Sequence, residues 1–165
     1  MSDAFDIKNY LPHRAPMLMV DRIIKMDDSI VESIFEIKAD NIFVQNNIFI
    51  EAGIIENAAQ NCSSIIGKDY FVDENNEDKS DVDVVGFISA IKTLKIHNLP
   101  KVGVTINTVA TLVSKFITPE YSLCTMSCQT FNNEELLFEA EINLFIQDNN
   151  SIQTAEDEKR SSTTG

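Results

Sequence analysis

The chain has 165 residues, 44% of them hydrophobic, which suits a single domain with a substantial core. Its formal net charge of −13 argues against a nucleic-acid partner, because phosphate contacts need clustered Lys and Arg side chains. No run approaches the roughly 18 apolar residues that span a bilayer, and residues 1–10 do not resemble a signal peptide. We therefore expect a cytoplasmic protein without a membrane span.

The first part of the chain predicts a lead-in segment and a hairpin. Residues 5–11 can form a short helical turn, which Pro12 breaks. Residues 17–26 then read as a strand, residues 27–29 as a turn and residues 30–38 as the partner strand. The alternation of the partner strand places four residues on one face: Val31, Ser33, Phe35 and Ile37. A loop over residues 39–47 follows.

The longest helix-like run extends from Ile48 to Gly67, where the glycine is expected to end the helix. Glu56 and Gln60 are four residues apart and therefore lie on the same flank of this helix. A glutamate on a helix covered by a sheet can project into a cleft, whereas the alternative is a solvated helix edge. The core-facing side carries residues spaced by three and four: Ile55, Ala58, Ala59, Cys62, Ile65 and Ile66.

The second half of the chain predicts four strands joined by short turns. They cover residues 84–96, 102–118, 122–131 and 136–146, and the last one alternates apolar and polar residues. With the hairpin and the helix, they give an α+β domain over residues 1–148, with an antiparallel sheet of about six strands. Because such a sheet leaves edges that dimers commonly cover, we expect an oligomer.

Two stretches and the cysteines fall outside this pattern. Residues 68–83 are strongly acidic and predict a solvated loop, and residues 149–165 predict a disordered tail because they offer little apolar surface to bury. Cys62, Cys124 and Cys128 lack zinc spacing, so we expect reduced packing residues, with a disulfide or metal site as the alternative. We predict no metal and no cofactor.

Four segments resemble the β-hydroxyacyl-[acyl-carrier-protein] dehydratases, the hotdog-fold enzymes of fatty-acid synthesis. LPHRAPMLMVDRI at Leu11–Ile23 resembles the opening signature of that family, and GIIENAAQ at Gly53–Gln60 resembles its helix motif. GFISAIKTLKI at Gly86–Ile96 and EELLFEAEINL at Glu134–Leu144 resemble two of its later strands. The resemblance implies a curved sheet wrapped around one long helix. It also implies a homodimer, or a trimer of dimers, with two acyl tunnels at the subunit interface.

The resemblance assigns site residues one by one. Glu56 matches the glutamate that donates a proton to the departing β-hydroxyl, but Ile42 stands where the family has the histidine that removes the α-proton. Glu51 stands at the family glycine whose N–H binds the thioester oxygen, and any residue there retains that N–H. We therefore predict Glu56 as the catalytic residue. The predicted substrate-binding residues are Ile42, Phe43, Asn46, Asn47, Glu51 and Gln60. Of the two histidines in the chain, His13 is expected to be structural and His97 exposed.

Three functions fit these residues. The first is a (3R)-hydroxyacyl-acyl-carrier-protein dehydratase of fatty-acid, polyketide or polyene synthesis, with Glu56 as acid or as sole acid and base. The second is a non-catalytic hotdog subunit that partners an active dehydratase. The third is a thioesterase, acting on carrier-protein or CoA thioesters, in which Glu56 activates water. Docking of an acidic acyl carrier protein would need a local basic patch, for which Lys92, Lys95 and Lys101 are the candidates.

Overall fold

The computed structural model describes residues 5–71 and 83–150. One helix packs against a six-stranded antiparallel sheet with the strand order β1-β2-β6-β7-β8-β5, which confirms the predicted α+β class. The helix is α1 (Glu51–Phe71), and a short 3-10 helix covers Ile7–Asn9. The strands are β1 (Arg22–Met26), β2 (Ile30–Glu36), β3 (Val44–Gln45), β4 (Ile48–Phe49), β5 (Val84–Ile96), β6 (Thr105–Ile117), β7 (Tyr121–Asn132) and β8 (Glu135–Asp148).

The core lies between α1 and the concave side of the sheet. The predicted apolar face of the helix is buried from Ala58 to Ile66, although Ile55 is only partly buried and its neighbour Ile54 is fully buried. All three cysteines are buried, as expected for packing residues, and none forms a disulfide among the described residues. A hydrogen bond with Cys128, together with burial, raises the pKa of Cys62, so this thiol stays protonated at neutral pH.

The helix has different ends from those predicted. It begins at Glu51, because Ile48–Phe49 pair with Val44–Gln45 in a β3–β4 hairpin. The hairpin turn, Asn46–Asn47, has positive φ angles of 49° and 66°, which asparagine tolerates well in a two-residue turn. The helix also continues through Gly67. A hydrogen bond of 2.8 Å between the hydroxyls of Tyr70 and Ser122 ties its last turn to β7 and offsets the helix-weakening effect of the glycine, about 1 kcal/mol.

The first strand is shorter than predicted because its first residues bind the helix instead of β2. The Gln60 amide donates to the Met17 carbonyl at 2.8 Å and accepts from the Met19 N–H at 2.8 Å. The Asn57 amide donates to the Met19 carbonyl at 2.7 Å. Residues 17–19 are therefore docked on the helix by two side chains, and regular strand pairing begins only at Arg22.

Strand β5 lies at one edge of the sheet and pairs with β8. Four of its large apolar side chains are exposed: Val85, Phe87, Ile91 and Leu94. A long edge strand with exposed apolar residues is a surface that pairs readily with another chain.

Two sequence predictions lie mostly or wholly outside the described residues. They concern the acidic loop, of which residues 72–82 are not described, and the tail from residue 151 onward. Within the described ranges, no helix has both the length and the hydropathy to cross a membrane.

Candidate active site

Glu56 borders a cleft of about 260 Å³ between α1, the N-terminal segment and the β5–β8 edge of the sheet. Its side chain is 28% exposed, so it is sheltered by the fold without being sealed off from solvent. This placement favours the cleft interpretation of Glu56 over that of a solvated helix edge. The other lining residues are His13, Ala59, Gln60, Ser63, Gly86, Phe87, Ile88 and Leu144.

The Gln60 amide fixes one oxygen of Glu56. Its Nε2 donates to Glu56 Oε1 at 2.7 Å as well as to the Met17 carbonyl, and its Oε1 accepts from the Met19 N–H. Because the amide is engaged on both sides, reversing it would place acceptors against acceptors. Gln60, which is buried, therefore always presents an N–H to Glu56.

His13, for which the sequence predicts a structural role, lies beside the same carboxyl. Its Nε2 is 3.8 Å from Glu56 Oε1, and its side chain is 32% exposed. Its Nδ1 is buried and has no hydrogen-bond partner among the described residues. The Arg14 guanidinium holds the surrounding turn by donating to the carbonyls of Leu11 and His13, each at 2.8 Å. No spacing in the sequence indicates that residues 13 and 56 meet, because the docking of residues 17–19 on the helix brings them together.

A smaller hollow of about 50 Å³ continues from this cleft along α1. The two share His13, Ser63 and Gly86, and the hollow extends to Gly67 and Tyr70 near the end of the helix. Its other walls are mainly apolar, including Leu11, Val84 and Ile146. The hollow therefore offers a short apolar extension of the cleft along the helix.

The other predicted site residues cluster at the start of α1. Glu51 is exposed as the first residue of the helix, and Asn46 and Asn47 are exposed in the β3–β4 turn. Ile42 is 45% exposed in the loop before β3, whereas Phe43 is partly buried. None of these five residues lines the Glu56 cleft, so their roles in substrate binding remain predictions.

The three candidate lysines for carrier-protein docking are exposed. Lys92 forms an ion pair of 2.9 Å with Glu141, and Lys95 lies opposite Glu139 in the β5–β8 register. Glutamates on β8 therefore offset the positive charge of Lys92 and Lys95. This arrangement weakens the case for a basic docking patch on β5.

Gly53 sets the approach of α1 to the β3–β4 hairpin, which makes it sensitive to substitution. A Cβ at this position would lie 2.5 Å from the Phe49 ring and 2.7 Å from the Phe43 Cβ.

We expect Gly53→Ala to destabilise the protein by about 1–2 kcal/mol, because overpacking exceeds the gain in helix propensity. Urea unfolding would measure this. Gly86→Ala is the control, since its Cβ would meet Ile146 at an ordinary 3.5 Å. Equal stabilities of the two variants would contradict the expectation.

Comparison with solved structures identifies the class of fold. The dehydratase heterocomplex ApeI:P from Xenorhabdus doucetiae is 14% identical with a TM-score of 0.72, over 92% of this chain and 97% of that one. A hypothetical thioesterase with coenzyme A from Streptococcus pneumoniae is 14% identical with a TM-score of 0.54, over 76% of this chain and 84% of that one. The sigma28-regulated virulence protein Cj0977 from Campylobacter jejuni is 15% identical with a TM-score of 0.58, over 81% of this chain and 79% of that one. The chain is a hotdog-fold protein, as the sequence resemblance implies.

The family follows from the sequence match. Residues 5–155 match the ApeP-like family, described as ApeP dehydratase, and the chain belongs to that family. Comparison of the sequence with curated proteins gives no significant match.

Proposed function

We propose that this chain is a subunit of a (3R)-hydroxyacyl-acyl-carrier-protein dehydratase of fatty-acid, polyketide or polyene synthesis, and that it binds the acyl thioester beside Glu56. The observation that carries the proposal is the Glu56 carboxyl, which lines a cleft and is held at 2.7 Å by a fixed amide donor. Membership of the ApeP-like dehydratase family supports the reaction class. The apolar hollow beyond the cleft supports an acyl chain as the bound group.

Dehydration requires two proton transfers, one from the α-carbon and one to the departing β-hydroxyl. Glu56 can accept or donate a proton, whereas Ile42, at the position of the family histidine, has no group that can do either. A single acid or base typically contributes about 10² to 10⁴ in rate. The site therefore needs either a second group or a carboxyl that performs both transfers.

The start of α1 is the proposed site for the thioester oxygen. The first N–H groups of a helix lack intrahelical acceptors and favour an oxyanion. The Glu51 and Ala52 N–H groups have no acceptor among the described residues, whereas the Gly53 N–H bonds to the Ile50 carbonyl at 2.9 Å. The exposed Glu51 carboxylate competes with the oxyanion for these donors.

We also propose that a second hotdog subunit pairs with β5. The exposed apolar side chains of this edge strand support the proposal, and the Glu56 cleft opens beside it. The similar ApeI:P assembly is a heterocomplex, so a related but different subunit is a partner to consider alongside a second copy of this chain.

The test separates the three functions by product. The purified full-length chain, alone and co-produced with a related hotdog subunit, is incubated with 3-hydroxyacyl and saturated acyl thioesters of carrier protein and CoA. Enoyl formation that Glu56→Gln abolishes supports a dehydratase, whereas release of free thiol from the saturated thioester supports a thioesterase in which Glu56 activates water. Enoyl formation that Glu56→Gln leaves unchanged comes from the co-produced subunit and would contradict the proposal. Acyl binding without either product would show a non-catalytic subunit and contradict the proposal.

A further inference from the structure

The Glu56 cleft contains an imidazole that does not come from position 42. We propose that His13 holds Glu56 for catalysis: its Nε2–H and the Gln60 amide together fix Glu56 as a carboxylate that removes the α-proton of the acyl thioester. This inference rests on the proposed function and names a positioning residue for it.

The geometry allows a direct contact between the two side chains. The distance of 3.8 Å between His13 Nε2 and Glu56 Oε1 is somewhat longer than a hydrogen bond, which spans about 2.7–3.2 Å. Both side chains are about one-third exposed and line the same cleft, so a small rotation brings them within reach. The backbone around His13 is held by the Arg14 guanidinium, which keeps the ring at this site.

The burial of Nδ1 determines which nitrogen carries the proton. A proton on Nδ1 would be a buried donor with no acceptor among the described residues, which is costly. In the other neutral tautomer the proton lies on Nε2, the nitrogen nearest Glu56. His13 therefore presents a donor to the carboxyl and avoids placing a lone pair against it.

Two donors then converge on Oε1 of Glu56. The Gln60 amide cannot reverse because Met17 and Met19 engage its other groups. An ionised carboxylate accepts from both donors, and Oε2 accepts no hydrogen bond from the described residues. Oε2 is left to react with substrate.

The proposed step uses Glu56 for both proton transfers. The Cα–H bond breaks, its proton moves to Oε2, and its electron pair forms an enolate with the negative charge on the thioester oxygen. The enolate then forms the Cα–Cβ double bond as the Cβ–O bond breaks, and the departing oxygen takes that same proton from the Glu56 carboxyl and leaves as water. Glu56 returns to the carboxylate, so His13 is needed for orientation and not as a proton source.

The test isolates removal of the α-proton. A saturated acyl-CoA, which cannot lose water, is incubated with the full-length chain in D₂O, and deuterium incorporation at Cα is followed by mass spectrometry. Elimination from a 3-hydroxyacyl-CoA is measured in parallel. The variants are His13→Leu and His13→Gln, whose terminal amide retains a donor near the Nε2 position. The matched control is His97→Leu, because His97 Nε2 lies 3.6 Å from Glu139 Oε2, away from the cleft.

We expect His13→Leu to lower kcat for both reactions by about ten- to a hundred-fold, the rate equivalent of one charge-assisted hydrogen bond, with KM nearly unchanged. His13→Gln should recover most of the loss, and His97→Leu should match the native protein. If His13→Leu does not fold, as judged by its thermal unfolding, His13→Asn replaces it, since its shorter amide does not reach Glu56.

Two outcomes overturn the inference while the proposed function stands. The first is a native protein that is active and Glu56-dependent, with His13→Leu equally active. The second is a His13→Gln variant no better than His13→Leu. A native protein that catalyses neither exchange nor elimination, alone or with a partner subunit, fails the proposed function itself and the inference with it.

Discussion

Glu56→Gln should lower kcat for enoyl formation by at least about 10²-fold, because an amide of nearly the same shape can neither accept nor donate the required proton. The fold should be unaffected. The new amide oxygen can still accept the Gln60 hydrogen bond, which is 2.7 Å long in the native protein. A 3-hydroxyacyl thioester assay and a thermal unfolding curve on the same samples would measure both properties.

The matched control for this prediction is Glu139→Gln. Glu139 lies on β8 and, like Glu56, has a histidine nearby: its Oε2 is 3.6 Å from His97 Nε2. It lies outside the cleft. Its substitution should leave enoyl formation within about three-fold of the native rate, as expected for a change away from the reacting atoms. Retention of native activity by Glu56→Gln would remove the carboxyl from the mechanism and leave the cleft as a binding site.

Asn57→Leu should destabilise the protein by about 2–5 kcal/mol, because a buried polar network loses its central member. The Asn57 amide donates to the Met19 carbonyl at 2.7 Å and accepts from the Thr108 hydroxyl at 2.7 Å. Thr108 in turn shares a 3.0 Å hydrogen bond with the Thr130 hydroxyl. The network therefore joins the N-terminal segment, the helix and two central strands. Leucine has a similar volume, so the loss arises from unsatisfied groups and not from a cavity. Urea unfolding would measure the change.

Asn107→Leu is the control for this substitution. Asn107 is the neighbour of Thr108 on β6, but its side chain is only partly buried and donates to Glu32 at 2.8 Å on the other face of the sheet. We expect it to change the free energy of unfolding by less than about 1 kcal/mol, as is usual for sites near the surface. Equal losses in both variants would mean that the buried network adds nothing beyond an ordinary surface hydrogen bond.

Periodicity predicts much of this fold but misplaces its boundaries. The alternation of β2 and β8 and the three-and-four spacing of α1 correctly give strands and helix, because each reflects burial of one face. The predicted ends of α1 and β1 are wrong where a contact between distant segments outweighs the local preference of the sequence. The Tyr70–Ser122 hydrogen bond stabilises the helical turn that follows Gly67. The Asn57 and Gln60 amides bind the backbone of Met19, which therefore does not pair with β2.

The residues of the candidate site likewise include some that the sequence locates and some that only the tertiary structure locates. The position of Glu56 on a helix flank beside a cleft is predictable, since it follows from a family motif and from helical spacing, which are local features of the sequence. Its catalytic role stays a prediction. The position of His13 beside Glu56 is not predictable, because the two residues are 43 positions apart and meet only when residues 17–19 dock on the helix. Likewise, Gln60 is readily assigned to substrate binding from its motif, but the structure shows its amide engaged by the protein.

By itself, the sequence determined the class of fold, the family resemblance and the position of the carboxyl to which we assign the chemistry, because each depends on local patterning or on a motif. The tertiary structure alone decided what surrounds that carboxyl. Hydrogen-bond partners of a buried amide and the neighbours of an imidazole depend on how distant segments dock, and docking is set by packing that no short window of residues encodes.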